Sequence, residues 1–211
     1  MATGKALKAK LRGGSTCIGA WILTTSADVT EILGFSGLDF LILDHEHGQG
    51  SIDIAVAQLR SLKGSGCTGM LRVPSNDRVY IKRALDAGVG GIMVPNVASA
   101  AEAKHAIDSC FYPPRGARGA FGGMRAMDYG FNPGYYAEAE DELLIALQVE
   151  SSAAIDNVAA IGAVSGADVI FIGPRDLSAS MGRLNRFDDP EVKAEIARAE
   201  KAILGTGLSL G

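Results

Sequence analysis

Short, nearly unbroken apolar runs alternate along this chain with longer stretches whose apolar residues recur at helical spacing. Residues 3–13 read as a Lys- and Ala-rich helix ended by Gly13-Gly14, and 18–23 as a first strand. Ser26 caps a helix to about Gly37, and 40–46 is a second strand. Ser51 caps the helix 52–63, where Ile52, Val56, Leu59 and Leu62 share one face. Strand 70–73 follows, then a helix opened by Asn76-Asp77 and closed by Gly88, then strand 91–97 and a helix from Ser99 to about Cys110. Residues 112–123 are too rich in Pro and Gly for helix or central strand. Strand 143–149, a helix over 151–164, strand 167–172 ended by Gly173-Pro174, a helix over 191–204 and a seventh strand at 208–210 complete the pattern.

Apolar strands alternating with helices predict parallel strands covered by helices. Two arrangements satisfy this, a (β/α)8 TIM barrel and an open doubly wound sheet. No Gly-x-Gly-x-x-Gly follows the first strand, which removes the usual dinucleotide site of the open sheet. The chemistry-bearing residues are spread over the ends of strands two, three, five and six, and a barrel gathers such ends into one ring. The expected fold is therefore the barrel, with residues 1–211 as a single domain. A barrel of this type usually takes about 250 residues. The expectation is that this chain stops after its seventh strand, without the eighth strand and terminal helices.

Composition narrows the function classes. The residues are 47% hydrophobic and 21% charged, with a net charge of −4 and no basic block, which argues against a nucleic-acid partner. No apolar run reaches the roughly 18 residues of a membrane span. The first twelve residues lack the apolar segment of a secretory signal. Cys17, Cys67 and Cys110 are odd in number and far apart, which fits reduced thiols in a cytoplasmic protein.

The second strand stops abruptly in Asp44-His45-Glu46-His47-Gly48. Four ionisable groups are tolerated there only where the strand emerges into a cleft. A carboxylate three positions from His47 can orient that imidazole and raise its basicity, with His45 as the alternative base. Arg72, before Pro74, offers a fork to a substrate carboxylate or pairs with Asp44 or Glu46. Glu150 and Asp176 end strands five and six. Two such carboxylates repel unless a cation lies between them, and an oxygen-rich set suits Mg²⁺ or Mn²⁺; the alternative is a pair of ordinary capping acids. Metal, base and guanidinium together suit chemistry at a carbon next to a carbonyl.

The segments Asp44 to Gly48, Arg72-Val73-Pro74, Tyr112-Pro113-Pro114 with Gly116 and Arg118-Gly119, Gln148-Val149-Glu150 and Ile172 to Ser178 resemble the HpcH/HpaI aldolase/citrate lyase family, from about Ala6 to the last residue. The resemblance implies a (β/α)8 barrel and the reversible, metal-dependent cleavage of a 4-hydroxy-2-oxo acid to pyruvate and an aldehyde through a pyruvate enolate. It implies a divalent ion (Mg²⁺, Mn²⁺ or Co²⁺) on Glu150 and Asp176, a catalytic His47 partnered by Asp44, and Arg72 steadying the enolate. It places Gln148 in the pyruvate site, and the backbone N–H groups of Arg175 and Asp176, after Gly173 and Pro174, on the pyruvate carboxylate. Arg118 and Arg125 are candidate partners of a distal carboxylate or hydroxyl of the substrate, with solvated loop arginines as the alternative. Leu85-Asp86-Ala87-Gly88 resembles a segment whose aspartate is implicated in catalysis. Helix ends lie at the barrel face opposite the site, so Asp86 is expected to serve a neighbouring subunit of a trimer or hexamer, the alternative being an aspartate of the last helical turn held by Arg83 or a loop amide.

Competing readings are a lyase of the citrate lyase β or macrophomate synthase type, and a non-catalytic, metal-dependent binder of oxo acids. A binder needs no base, which counts against the last.

Overall fold

The computed structural model of the chain describes residues 3–211. Helix α1 (Gly4–Arg12) precedes β1 (Gly19–Ile22), α2 (Ala27–Gly34), β2 (Phe40–Asp44), α3 (Ile52–Ser61), β3 (Thr68–Arg72), α4 (Arg78–Asp86), β4 (Gly91–Val94) and α5 (Ala100–Cys110). A long connection with a 3₁₀ turn (Arg125–Gly130) and the short α6 (Tyr135–Glu138) leads to β5 (Leu144–Val149). Then come α7 (Ser152–Asp156), α8 (Val158–Gly162), β6 (Val169–Ile172), α9 (Pro174–Ser180), α10 (Pro190–Leu204) and β7 (Ser209–Leu210).

The seven strands form one parallel sheet in the order β1 to β7. A doubly wound sheet reverses its order at a switch point, and this one does not. The sheet curls instead. Trp21 on β1 meets Phe171 on β6 edge to face, with ring centroids 6.1 Å apart, although four strands separate β1 from β6. The architecture is that of a (β/α)8 barrel wall carrying seven strands. Among the described residues no pairing joins β7 to β1.

Strand alternation sorts the apolar residues into two cores. Leu41, Leu43, Leu71, Ile92, Ile145, Leu147 and Ile170 face outward and pack with the helices. Ile42, Met70, Met93, Leu144, Ala146 and Val169 face inward with Leu7 of α1. Helix α1 thus lies under the barrel interior. Gly4 permits this, because a Cβ there would fall 2.0 Å from the Gly90 carbonyl oxygen.

Most helix starts follow the expected caps. Ser26, Asp77, Ser99 and Ser151 each accept a hydrogen bond from the backbone N–H three residues on. Ser51 occupies its cap position without that bond, and its hydroxyl goes to Asp53. The helix expected over 151–164 is split at Asn157, whose side-chain amide donates to the Ala98 carbonyl. Helix α9 was not expected. Pro174, read from the sequence as a strand terminator, is its first residue, where a missing N–H costs nothing.

Candidate active site

The inward faces of β2, β3 and β5 reach the barrel mouth as Asp44, Arg72 and Gln148, and Glu150 follows one residue beyond β5. Asp44 and Arg72 are direct partners in the strand register. Arg72 Nε and Nη2 donate to the two Asp44 oxygens at 2.9 and 2.7 Å. Asp44 Oδ1 also accepts the backbone N–H groups of Glu46 and His47. Burial alone would raise this carboxyl, but the hydrogen bonds and charge of Arg72, with those N–H groups, hold it below the usual carboxylate range.

The fork of Arg72 is therefore engaged by Asp44. Its Nη1 faces the site, 3.4 Å from Gln148 Oε1 and 2.8 Å from Glu46 Oε2. Its guanidinium carbon lies 4.4 Å from the centroid of the Trp21 ring. Glu46 is thus a fourth acid at the mouth beside Asp44, Glu150 and Asp176, and both carboxylates offered by the motif pair with Arg72. Glu46 Oε2 is buried, off the N–H direction of Arg72 and without a hydrogen bond. Burial raises its pKa against the opposing charges of Arg72 and His47.

Glu150 is 4% exposed. One of its oxygens accepts the Asn96 backbone N–H and the other accepts Gln148 Nε2, both at 2.7 Å. Its pKa is pushed up to about 7, first by burial and then by the neighbouring charges of Glu46 and Asp176, against the Asn96 hydrogen bond and Arg72. A Cβ at Gly173 would sit 2.4 Å from Glu150 Oε2. Glu150 and Gln148 pack directly against the Gly173 backbone, so only glycine fits beside this carboxylate. Asp176 is exposed on the first turn of α9. Arg175 turns away to Asn185, with its guanidinium carbon 5.8 Å from the centroid of the Phe187 ring.

The two histidines of the turn diverge. The imidazole of His47 is 63% exposed, 4.0 Å from the Glu46 carboxylate, and it is this acid rather than Asp44 that lies beside the ring. The ring of His45 is buried on the outer side of the sheet against Tyr80, and burial lowers its pKa. Its direction away from the mouth removes it as an alternative base.

Asp86, Arg118 and Arg125 form a separate group at the end of α4. Arg118 Nη2 donates to Asp86 at 2.8 Å and to Tyr135 at 3.1 Å, and Arg125 donates to the Ala87 carbonyl. Helix α4 runs back from the end of β3 to the start of β4, so this group lies at the face opposite Asp44, Arg72 and Glu150. Within one chain it does not meet them.

Asp44, Glu46, Glu150 and Asp176 against the one guanidinium of Arg72 leave an excess of negative charge at the mouth. An all-oxygen donor set with surplus negative charge, including a buried carboxylate oxygen of Glu46 without a hydrogen bond, suits a hard divalent cation. Among the described residues no three His, Cys, Asp or Glu side chains converge on one point. Protein carboxylates would therefore share such an ion with water or substrate.

The family model described as HpcH/HpaI aldolase/citrate lyase matches residues 17–211. The chain belongs to this family. It is 39% identical over 204 residues to 5-keto-4-deoxy-D-glucarate aldolase of Salmonella paratyphi C, covering 97% of this chain and 80% of the relative. A HpcH/HpaI family protein of Burkholderia cenocepacia superposes with a TM-score of 0.94 at 33% identity, over 98% of this chain and 83% of that one. The HpcH/HpaI aldolase of Desulfitobacterium hafniense gives 0.89 at 31% identity, over 97% and 80%. As a HpcH/HpaI aldolase, the chain is a carbon–carbon lyase acting by aldol cleavage on a small-molecule substrate.

Proposed function

We propose that this aldolase cleaves a 4-hydroxy-2-oxo sugar acid of the 5-keto-4-deoxy-D-glucarate type, releasing pyruvate and an aldehyde. The observation that carries the site assignment is the continuous chain Asp44–Arg72–Gln148–Glu150 at the barrel mouth, with a surplus of carboxylates beside it. Glu150 and Asp176 would hold a divalent cation such as Mg²⁺, Mn²⁺ or Co²⁺. When bound, the cation polarises the ketone of the 2-oxo acid.

This chain's residues supply the rest. His47, at the open rim, takes the proton of the C4 hydroxyl as the C3–C4 bond breaks, and returns a proton to C3 of the pyruvate enolate. Arg72 Nη1 faces the developing enolate oxygen, while Asp44 fixes the direction of the guanidinium. Gln148 orients Glu150, and the N–H groups of Arg175 and Asp176, which have no acceptor within their helix, meet the pyruvate carboxylate. Asp86, with Arg118 and Arg125 behind it, serves the site of a neighbouring subunit in a trimer or hexamer. The test is pyruvate release, followed with coupled lactate dehydrogenase, across a panel of 4-hydroxy-2-oxo acids with divalent metal present. Turnover of the sugar acid is expected. No pyruvate from any member of the panel would overturn the proposal.

A further inference from the structure

His45 lies between Asp44 and Glu46 yet takes no part in the mouth. Strand alternation turns its ring to the helical layer, where it is 7% exposed. Its Nδ1 is 2.8 Å from the Tyr80 hydroxyl on α4, and the rings meet edge to face at 6.0 Å. A Cβ at Gly50 would fall 2.4 Å from ring atoms Cδ2 and Nε2, so the ring lies directly against the chain entering α3. Nε2 is buried without a hydrogen-bond partner. A buried nitrogen left unsatisfied disfavours folding relative to an apolar residue of that shape. What the imidazole adds over such a residue is the directional link to Tyr80.

The turn that carries Glu46 and His47 is otherwise tied to β2 and β3: the His45 N–H donates to the Arg72 carbonyl at 3.0 Å, and the Glu46 carboxylate lies 2.8 Å from Arg72 Nη1. The N–H groups of Glu46 and His47 go to Asp44 Oδ1 at 3.1 and 3.3 Å, and that of Gln49 goes to the Leu23 carbonyl at 3.4 Å. We infer that His45 is a positioning residue. Its hydrogen bond to Tyr80 fixes the 44–48 turn against α4, and with it the placement of Glu46 and His47 over the barrel mouth. This rests on the proposed reading of that turn as part of the active site.

The test is a double-mutant cycle with a rescue, in the metal-loaded enzyme at a temperature where every variant is fully folded. Tyr80→Phe and His45→Leu each remove the link, and each should lower kcat about 10-fold with little change in KM, as a misplaced catalytic group does. The double variant should be no slower than either single. His45→Asn sets an amide where Nδ1 stood and should restore kcat, whereas His45→Gln, whose amide reaches the place of Nε2, should not. A merely structural role would move the melting temperature and leave kcat unchanged. Unchanged kcat in both single variants, multiplied losses in the double, or equal recovery by Asn and Gln would overturn the inference. His47→Ala separates the two failures. If it is inactive while Tyr80→Phe and His45→Leu are fully active, only the positioning role falls; if it is fully active, the site reading falls and this inference with it.

Discussion

Asp44 and Arg72, 28 positions apart in sequence, share two parallel hydrogen bonds across adjacent strands, with side chains 2% and 8% exposed. Truncating one partner of a buried pair strands the other charge. Arg72→Ala should therefore cost about 3–5 kcal/mol of stability in denaturant unfolding, besides activity. Arg72→Lys should recover little of either, because an ammonium cannot fork.

The same pair sets an acid limit. The folded pKa of Asp44 lies below its unfolded value of about 3.9. Its contribution is complete above that unfolded value and is lost as pH falls through the lower folded one. Asp44→Asn should therefore show a shallower loss of stability below about pH 4 than the parent chain. Parallel acid-unfolding curves would exclude this contribution.

Chelation should abolish cleavage, and Mg²⁺, Mn²⁺ or Co²⁺ should restore it. A carboxyl with a pKa of about 7 must lose its proton to take a cation, so affinity should rise with pH through neutrality. Titration calorimetry of the chelated protein measures both effects, and Glu150→Gln should remove the binding heat. Full turnover with metal content confirmed negligible would end the metal assignment.

His47→Ala should slow proton exchange at C3 of pyruvate by roughly 10²–10⁴-fold, the usual range for loss of a general base. His45→Ala should slow it far less. Deuterium incorporation followed by NMR reads both, and a reversed order would return His45 to the role of base.

Gly173→Ala should lose some stability and bind metal poorly, because its methyl must displace the buried Glu150 side chain. The new methyl would lie 2.4 Å from Glu150 Oε2 and 2.9 Å from Gln148 Nε2. Wild-type metal affinity in this variant would show that the placement of Glu150 against Gly173 does not matter to the cation site.

Asp86→Ala and His47→Ala should each be inactive alone and regain some turnover when mixed under subunit exchange. Sedimentation showing active monomers at assay concentration would exclude a shared site. Exchange without recovery would leave Asp86 as the anchor of Arg118 alone.

The barrel wall and most of the mouth were legible because alternation and strand ends are local properties. Asp44, Arg72, Gln148 and Glu150 follow the inward parity of Ile42, Met70 and Ala146. The same parity marked Glu46 as a mouth residue and His45 as an outward one, a signal the motif obscured by presenting four ionisable residues together. That Glu46 rather than Asp44 stands beside His47 was not legible, since it depends on Arg72 taking both Asp44 oxygens. The contacts of Arg118 and Arg125 with the end of α4 were not legible, because the long connection between α5 and β5 folds back there, a contact no periodicity encodes.

Trp21 is the chain's single tryptophan, and it touches both the guanidinium of Arg72 and the ring of Phe171. The protein thus carries its own optical probe at the point where β1 approaches β6. Indole emission reports the polarity and charge beside Arg72 with no second tryptophan to dilute it. Substrate entry and opening of the barrel wall can be followed by fluorescence without adding a label.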